Sequence, residues 1–192
     1  MEEYFERLIR EIKQTLGKIS SKEIEEFIEV IKNSRRIYLA GAGRSGLVAK
    51  AFAMRLVHLG KRIFVVGETV VPAMRKSIDT LIVVSGSGKT KSILEIAKTA
   101  KEIGGRLVAV TADKSSPLAK IANHIVYIPS GRTKFSMDSY DSRQLLGGVP
   151  ITPLGSLFEL SAFLFFESIV HRLMKDLKIT EEKLKKIHTT LE

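Results

Sequence analysis

Residues 37–59 read IYLAGAGRSGLVAKAFAMRLVHL, and this stretch decides the fold. The apolar run Ile37–Ala40 has the continuity of a strand buried on both faces. Gly41, Gly43 and Gly46 then mark a turn, and Ser45–Leu59 carries apolar residues at helical spacing. A strand, a glycine turn and a helix in succession make the first half of a βαβ unit, and the pattern recurs downstream. Ile63–Val66, Leu81–Val84, Leu107–Val110 and His124–Ile128 are the further strand candidates, with helices over Lys91–Ile103 and Pro117–Ala122. The connection Gly67–Thr80 is short and contains Pro72, which argues against a helix there. Such alternation predicts an α/β three-layer sandwich around a five-stranded parallel sheet, with right-handed crossovers.

Outside this frame, the first 34 residues predict two helices broken at Gly17 and Ser20. Ser20 or Ser21 is the cap of the second, and Ile24, Phe27, Ile28 and Ile31 form its apolar stripe. Pro129–Pro153 is rich in Gly, Ser and Pro, and a loop of that length suits a lid or a binding loop. An apolar helix over Leu154–Lys175 and a short basic one over Glu181–His188 follow. Phe163, Leu164, Phe165 and Phe166 are consecutive and must circle the longer helix, which therefore belongs in a subunit interface. Residues 1–192 read as one domain.

With 192 residues, 44% of them hydrophobic, the chain can bury a sizeable core. It has no cysteine, which excludes thiol catalysis, disulfides and Cys-ligated metal. The charged N-terminus lacks a signal-peptide core, and every long apolar run is interrupted by charge. The expectation is a cytoplasmic protein with no membrane span. Abundant Lys and Glu favour a thermophilic source. The net charge of +10 lies wholly beyond residue 36, where it suits a small polyanion such as a phosphorylated metabolite. No zinc-finger spacing, RNP-type motif or dense basic tract points to nucleic acid.

Two glycine loops carry the chemistry. Gly41-Ala42-Gly43-Arg44-Ser45-Gly46 matches G-x-G-x-x-G between a strand and a helix, and Glu68 closes the next strand. That approaches the dinucleotide fingerprint, although a glycine turn can also serve only to pack strand against helix. Ser85-Gly86-Ser87-Gly88-Lys89-Thr90 resembles a Walker A loop, but Val83 stands where that loop needs glycine, and ATP hydrolysis is not expected. Its hydroxyls and exposed amides at a helix N-terminus instead suit one phosphate, and the plain alternative is a capping turn with Thr90 as N-cap. In a 2-1-3-4-5 sheet the two loops flank the switch-point crevice, which favours a small phosphorylated molecule over a dinucleotide.

The two loops, with Phe52–Gly60, Val66-Gly67-Glu68-Thr69 and Pro153-Leu154-Gly155-Ser156-Leu157-Phe158-Glu159, resemble the sugar isomerase (SIS) domain family over about residues 36–192. They look most like the branch that interconverts 3-hexulose 6-phosphate and fructose 6-phosphate in the ribulose monophosphate route of formaldehyde fixation. The resemblance implies a five-stranded parallel sheet in flavodoxin-like order, a homotetramer, and no metal or nucleotide cofactor. It places the catalytic base at Glu159, in an otherwise apolar helix where Glu167 is a rival. It also places His188 as an acid/base or ring-opening group working in a neighbouring subunit's site. Gly43, Arg44, Ser45, Glu68, Ser85, Gly86, Ser87, Gly88 and Thr90 are the expected substrate and phosphate contacts. His58 reads as packed or interfacial, and His124 and His171 have no evident partner. The segment Ser136–Val149 looks like an insertion relative to the family. The competing readings are an isomerase for another sugar such as arabinose 5-phosphate, and a non-catalytic sugar-phosphate sensor. Against the sensor, 192 residues leave no room for a fused DNA-binding domain.

Overall fold

A computed structural model of the chain describes residues 2–130, 156–180 and 182. In chain order these form α1 (Glu2–Leu16), α2 (Ser21–Asn33), β1 (Arg36–Gly41), α3 (Gly43–His58), β2 (Ile63–Val65) and β3 (Asp79–Val84). There follow α4 (Lys91–Glu102), β4 (Arg106–Thr111), α5 (Pro117–Ile121), β5 (His124–Tyr127) and α6 (Ser156–Asp176). The strands pair in parallel in the order β2-β1-β3-β4-β5, the expected topology. The expected C-terminal helix Glu181–His188, the segment Ser136–Val149 and the motif Pro153-Leu154-Gly155 lie outside the described residues.

Alternation along the strands builds two cores. Ile37 and Leu39 of β1 face α2, α3 and α6, while Tyr38 and Ala40 face α4 and α5. Aromatic rings fill the first core: Phe52 of α3 stacks on Phe166 of α6 with centroids 4.1 Å apart, and Phe27 of α2 lies 6.2 Å from each. The aromatic run on α6 therefore divides. Phe165 and Phe166 point into the core, whereas Phe163 and Leu164 remain 42% and 43% exposed. No helix forms between β2 and β3, as Pro72 suggested.

The strands β1 and β3 begin earlier than their apolar runs because polar residues at their starts are tied to one another. Arg36 pairs with Asp79 in register, and its Nε donates to both carboxylate oxygens at 3.1 Å. Asp79 is fully buried and also accepts from the Arg75 amide at 2.6 Å. A buried carboxylate is tolerated when its oxygens are bonded in this way. At the start of β4, Asn123 Oδ1 accepts from the Leu107 amide at 2.8 Å and from Lys101 Nζ at 3.0 Å. These ties all sit at the N-terminal edge of the sheet. Capping is sparser than the sequence suggests: Ser20 and Thr90 occupy N-cap positions without a side-chain bond, while Ser116 caps α5 by accepting from the Ala119 amide.

Candidate active site

Because β1 and β3 are neighbours, the turns after them open side by side at the C-terminal edge of the sheet. In the first turn, Gly41 and Gly46 touch through their backbones. A Cβ on Gly46 would lie 2.8 Å from the Gly41 carbonyl oxygen, so these two glycines set the close approach of strand to helix. Gly43 adopts φ +55° and opens α3. This geometry turns Ser45 inward, where it is 8% exposed, and leaves Arg44 exposed.

The second turn is held by its own hydroxyls. The Gly88 amide donates to the Ser85 carbonyl at 3.1 Å and to Ser85 Oγ at 3.2 Å, and the Lys89 amide donates to Ser87 Oγ at 3.3 Å. From β4, the Thr111 hydroxyl and the Ala112 amide both donate to the Gly86 carbonyl. Gly88 has φ +58°, and a Cβ there would run into the Ser116 side chain. Ser85 is thus buried within the loop, whereas Ser87 and Thr90 stay partly exposed, with the Thr90 hydroxyl unused as a cap. Beside the loop, the Ser115 hydroxyl holds the Asp113 carboxyl below the usual carboxylate range. The Ser115 amide and Lys89, at 3.6 Å, add to this against the effect of partial burial.

Glu159 connects the two turns. It lies in the first turn of α6, and Ser45 Oγ donates to its Oε1 at 3.2 Å. Its neighbour Phe158 packs on Gly86, with ring carbon Cδ1 3.0 Å from where a Cβ on that glycine would be. Glu159 Oε2 is buried and has no hydrogen-bond partner among the described residues.

The other expected residues fall elsewhere. Glu68 is exposed and pairs with Lys50 of α3 at 2.6 Å. Glu167 accepts a forked pair of bonds from Arg55, with Nη2 at 2.8 Å and Nε at 3.2 Å, which ties α6 to α3 and occupies both of its oxygens. His124 Nδ1 lies 3.7 Å from Glu26 at the opposite edge of the sheet, a partner the sequence does not reveal. His58 is half-buried at the end of α3, and His171 is exposed on α6. His188 lies outside the described residues. Sequence reasoning gave no role of their own to Phe158 and Ser116. The string Ser115-Ser116-Pro117 does carry a signal for Ser116, a serine cap before proline at the first helical position. Phe158 has none, because its partner is the backbone of a distant glycine.

Among the described residues, no group of three or more acidic or histidine side chains could hold a metal ion, and no helix is long and apolar enough to cross a membrane.

A parallel sheet in this order, with two glycine turns meeting one partly buried carboxylate, places the chain among the SIS domains, whose family profile matches residues 30–146. The chain belongs to the SIS domain family. Within the family it is 36% identical over 190 residues to the 3-hexulose-6-phosphate isomerase of Bacillus subtilis, covering 99% of this chain and 98% of that one. It is 37% identical over 182 residues to the protein of that name from Mycobacterium gastri, covering 95% and 86%. A crystal structure from Methanococcus jannaschii, from which a molecular function of 3-hexulose-6-phosphate isomerase was inferred, matches with a TM-score of 0.82. That protein is 30% identical, and the match covers all of both chains.

Proposed function

We propose that this chain is a 3-hexulose-6-phosphate isomerase, interconverting D-arabino-3-hexulose 6-phosphate and D-fructose 6-phosphate within one SIS domain. The observation that carries the site assignment is Glu159, joined to the first turn through Ser45 and set against the second through Phe158 and Gly86. Moving a ketone from C3 to C2 requires a base that takes the proton from C2 and returns it to C3 through an enediol. Glu159 is that base. Ser87, Thr90 and the amides at the start of α4 bind the phosphate, which fixes the carbon chain across the crevice. Arg44 lies at the mouth, where its guanidinium can meet substrate hydroxyls. Glu68, paired with Lys50, orders the edge of the same region.

The active unit in this proposal is a cytoplasmic homo-oligomer, a tetramer by family resemblance. Leu47, Met54 and Val57 on α3, and Leu160, Phe163 and Leu164 on α6, are exposed apolar side chains on two helices that pack together. Leu47 follows Ser45 by two positions and Leu160 adjoins Glu159, so a second copy on this face borders the crevice. His188 is the residue that copy contributes, for ring opening or hydroxyl proton transfer.

The test couples the protein to a hexulose-phosphate synthase with ribulose 5-phosphate and formaldehyde. Fructose 6-phosphate should accumulate, and its absence would reject the reading. Sedimentation at micromolar concentration should show an oligomer, and a stable monomer would remove any role for His188 in a neighbouring site.

A further inference from the structure

The two oxygens of the Glu159 carboxylate are not equivalent. Oε1 receives the Ser45 hydroxyl at 3.2 Å, while Oε2 is buried and has no partner among the described residues. Left to itself, a glutamate can turn about its last bond and exchange the two oxygens. Ser45 prevents this only if its own position is fixed, and it is. The residue lies in the first turn of α3, is 8% exposed, and sits between Gly43 at φ +55° and Gly46, which is locked against the Gly41 carbonyl. The main chain therefore fixes where the Ser45 side chain starts, and its burial and the bond to Oε1 hold the hydroxyl in place. Buried polar atoms are nearly always bonded, so an orphan oxygen beside a tethered one marks the place where a ligand or a proton is received.

We infer that Ser45 is a positioning residue: it holds Oε1 so that Oε2 is the oxygen that takes the proton. This rests on the isomerase reading above. In the step itself, the C2–H bond breaks and an O–H bond forms on Oε2. The electron pair moves to the C3 carbonyl oxygen through the enediolate. In the return, the C2 hydroxyl gives its proton to the C3 oxygen, the carbonyl re-forms at C2, and Oε2–H delivers its proton to C3. Proton and electrons balance without a co-reactant. Ser45 has been expected among the substrate contacts, and the two roles separate cleanly by experiment.

Steady-state kinetics of Ser45→Ala, Glu159→Gln and the double variant in the fructose 6-phosphate assay decide between them. For Ser45→Ala, kcat should fall by about 10- to 100-fold, the effect of a mispositioned reacting group, with KM little changed. The double variant should be no slower than Glu159→Gln alone, because the two residues act as one unit. Ser45→Thr, which keeps the hydroxyl, should recover most of the lost turnover. A rise in KM with kcat retained, or losses that multiply in the double variant, would overturn the inference and return Ser45 to the substrate contacts. Unchanged kinetics in Ser45→Ala beside an active wild type would reject this inference alone. A wild type that forms no fructose 6-phosphate would reject the isomerase reading and this inference together.

Discussion

Phe158 rests on the backbone of Gly86, so closely that a methyl there would lie 3.0 Å from ring atom Cδ1 and 3.1 Å from Cγ. This contact helps to seat the start of α6, and Glu159 is the next residue. Gly86→Ala should push the ring outward by a few tenths of an ångström. Overpacking of this kind costs about 1–3 kcal/mol, readable by denaturant unfolding. Turnover should fall further than stability alone explains, because the base moves with the ring. Full activity in Gly86→Ala would mean that α6 is positioned by other contacts.

The three hydroxyls of the second turn should separate in their effects. Ser87 and Thr90 are partly exposed, and the Thr90 side chain makes no capping bond, so their loss should spare the fold. Each loses a bond to a charged acceptor worth roughly 1.5–3 kcal/mol, raising KM about tenfold or more, and inorganic phosphate should inhibit competitively. Ser85 is buried and its Oγ accepts from the Gly88 amide, so Ser85→Ala should lower stability by about 0.5–1.5 kcal/mol as well. Wild-type constants in all three variants would place the phosphate elsewhere.

Two glutamates on α6 compete for the role of base, and only one is free to act. Glu159→Gln should lower turnover by about 10²- to 10⁴-fold, the usual worth of a positioned base, with KM nearly unchanged. Incorporation of solvent deuterium at C2 or C3 should disappear with it. Glu167 is engaged by Arg55 in a pair that is 34% and 39% exposed, so Glu167→Gln should leave turnover intact. Its stability should change by about 1 kcal/mol or less. Reversed results would move the base one face around the helix.

Acid should weaken the ties beside the second glycine turn. The Ser115 hydroxyl, followed by its amide and Lys89, holds the Asp113 carboxyl below its ordinary value. A carboxylate depressed in the folded state stabilises the protein above the unfolded pKa of about 4, and the contribution is lost as pH falls through the lower folded value. The stability gap between wild type and Asp113→Asn should therefore be present at neutral pH and narrow as the solution is taken below pH 4. A gap that is constant with pH would assign the effect of the variant to packing.

What the sequence reveals is what lies close along the chain. The strands are legible because their residues are apolar on both faces, as with Leu81–Val84 of β3, and the glycines mark the turns that follow. The start of β3 is not legible, since Asp79 and Thr80 look like loop residues until Arg36, 43 positions earlier, is seen to neutralise Asp79. The site divides in the same way. Glycine spacing and the hydroxyl cluster single out both turns, but the link between Ser45 and Glu159 spans 114 residues and no local period records it. Serine can serve as a phosphate ligand at any glycine turn; only the fold shows that this hydroxyl points at a carboxylate.

The ties between strand starts, Arg36 to Asp79 and Asn123 to Leu107, lie at the edge of the sheet away from the glycine turns. Register is thus secured at one end of every strand they touch, and the reacting end is left free to vary. A laboratory search for new sugar specificity can use this arrangement as a chassis. Arg44, Ser87, Lys89 and Thr90 can be randomised together while every tie that sets the strands in register is left in place. Libraries built there should keep a high fraction of folded members, whereas the same number of changes at Arg36, Asp79 and Asn123 would empty the library before any substrate was tried.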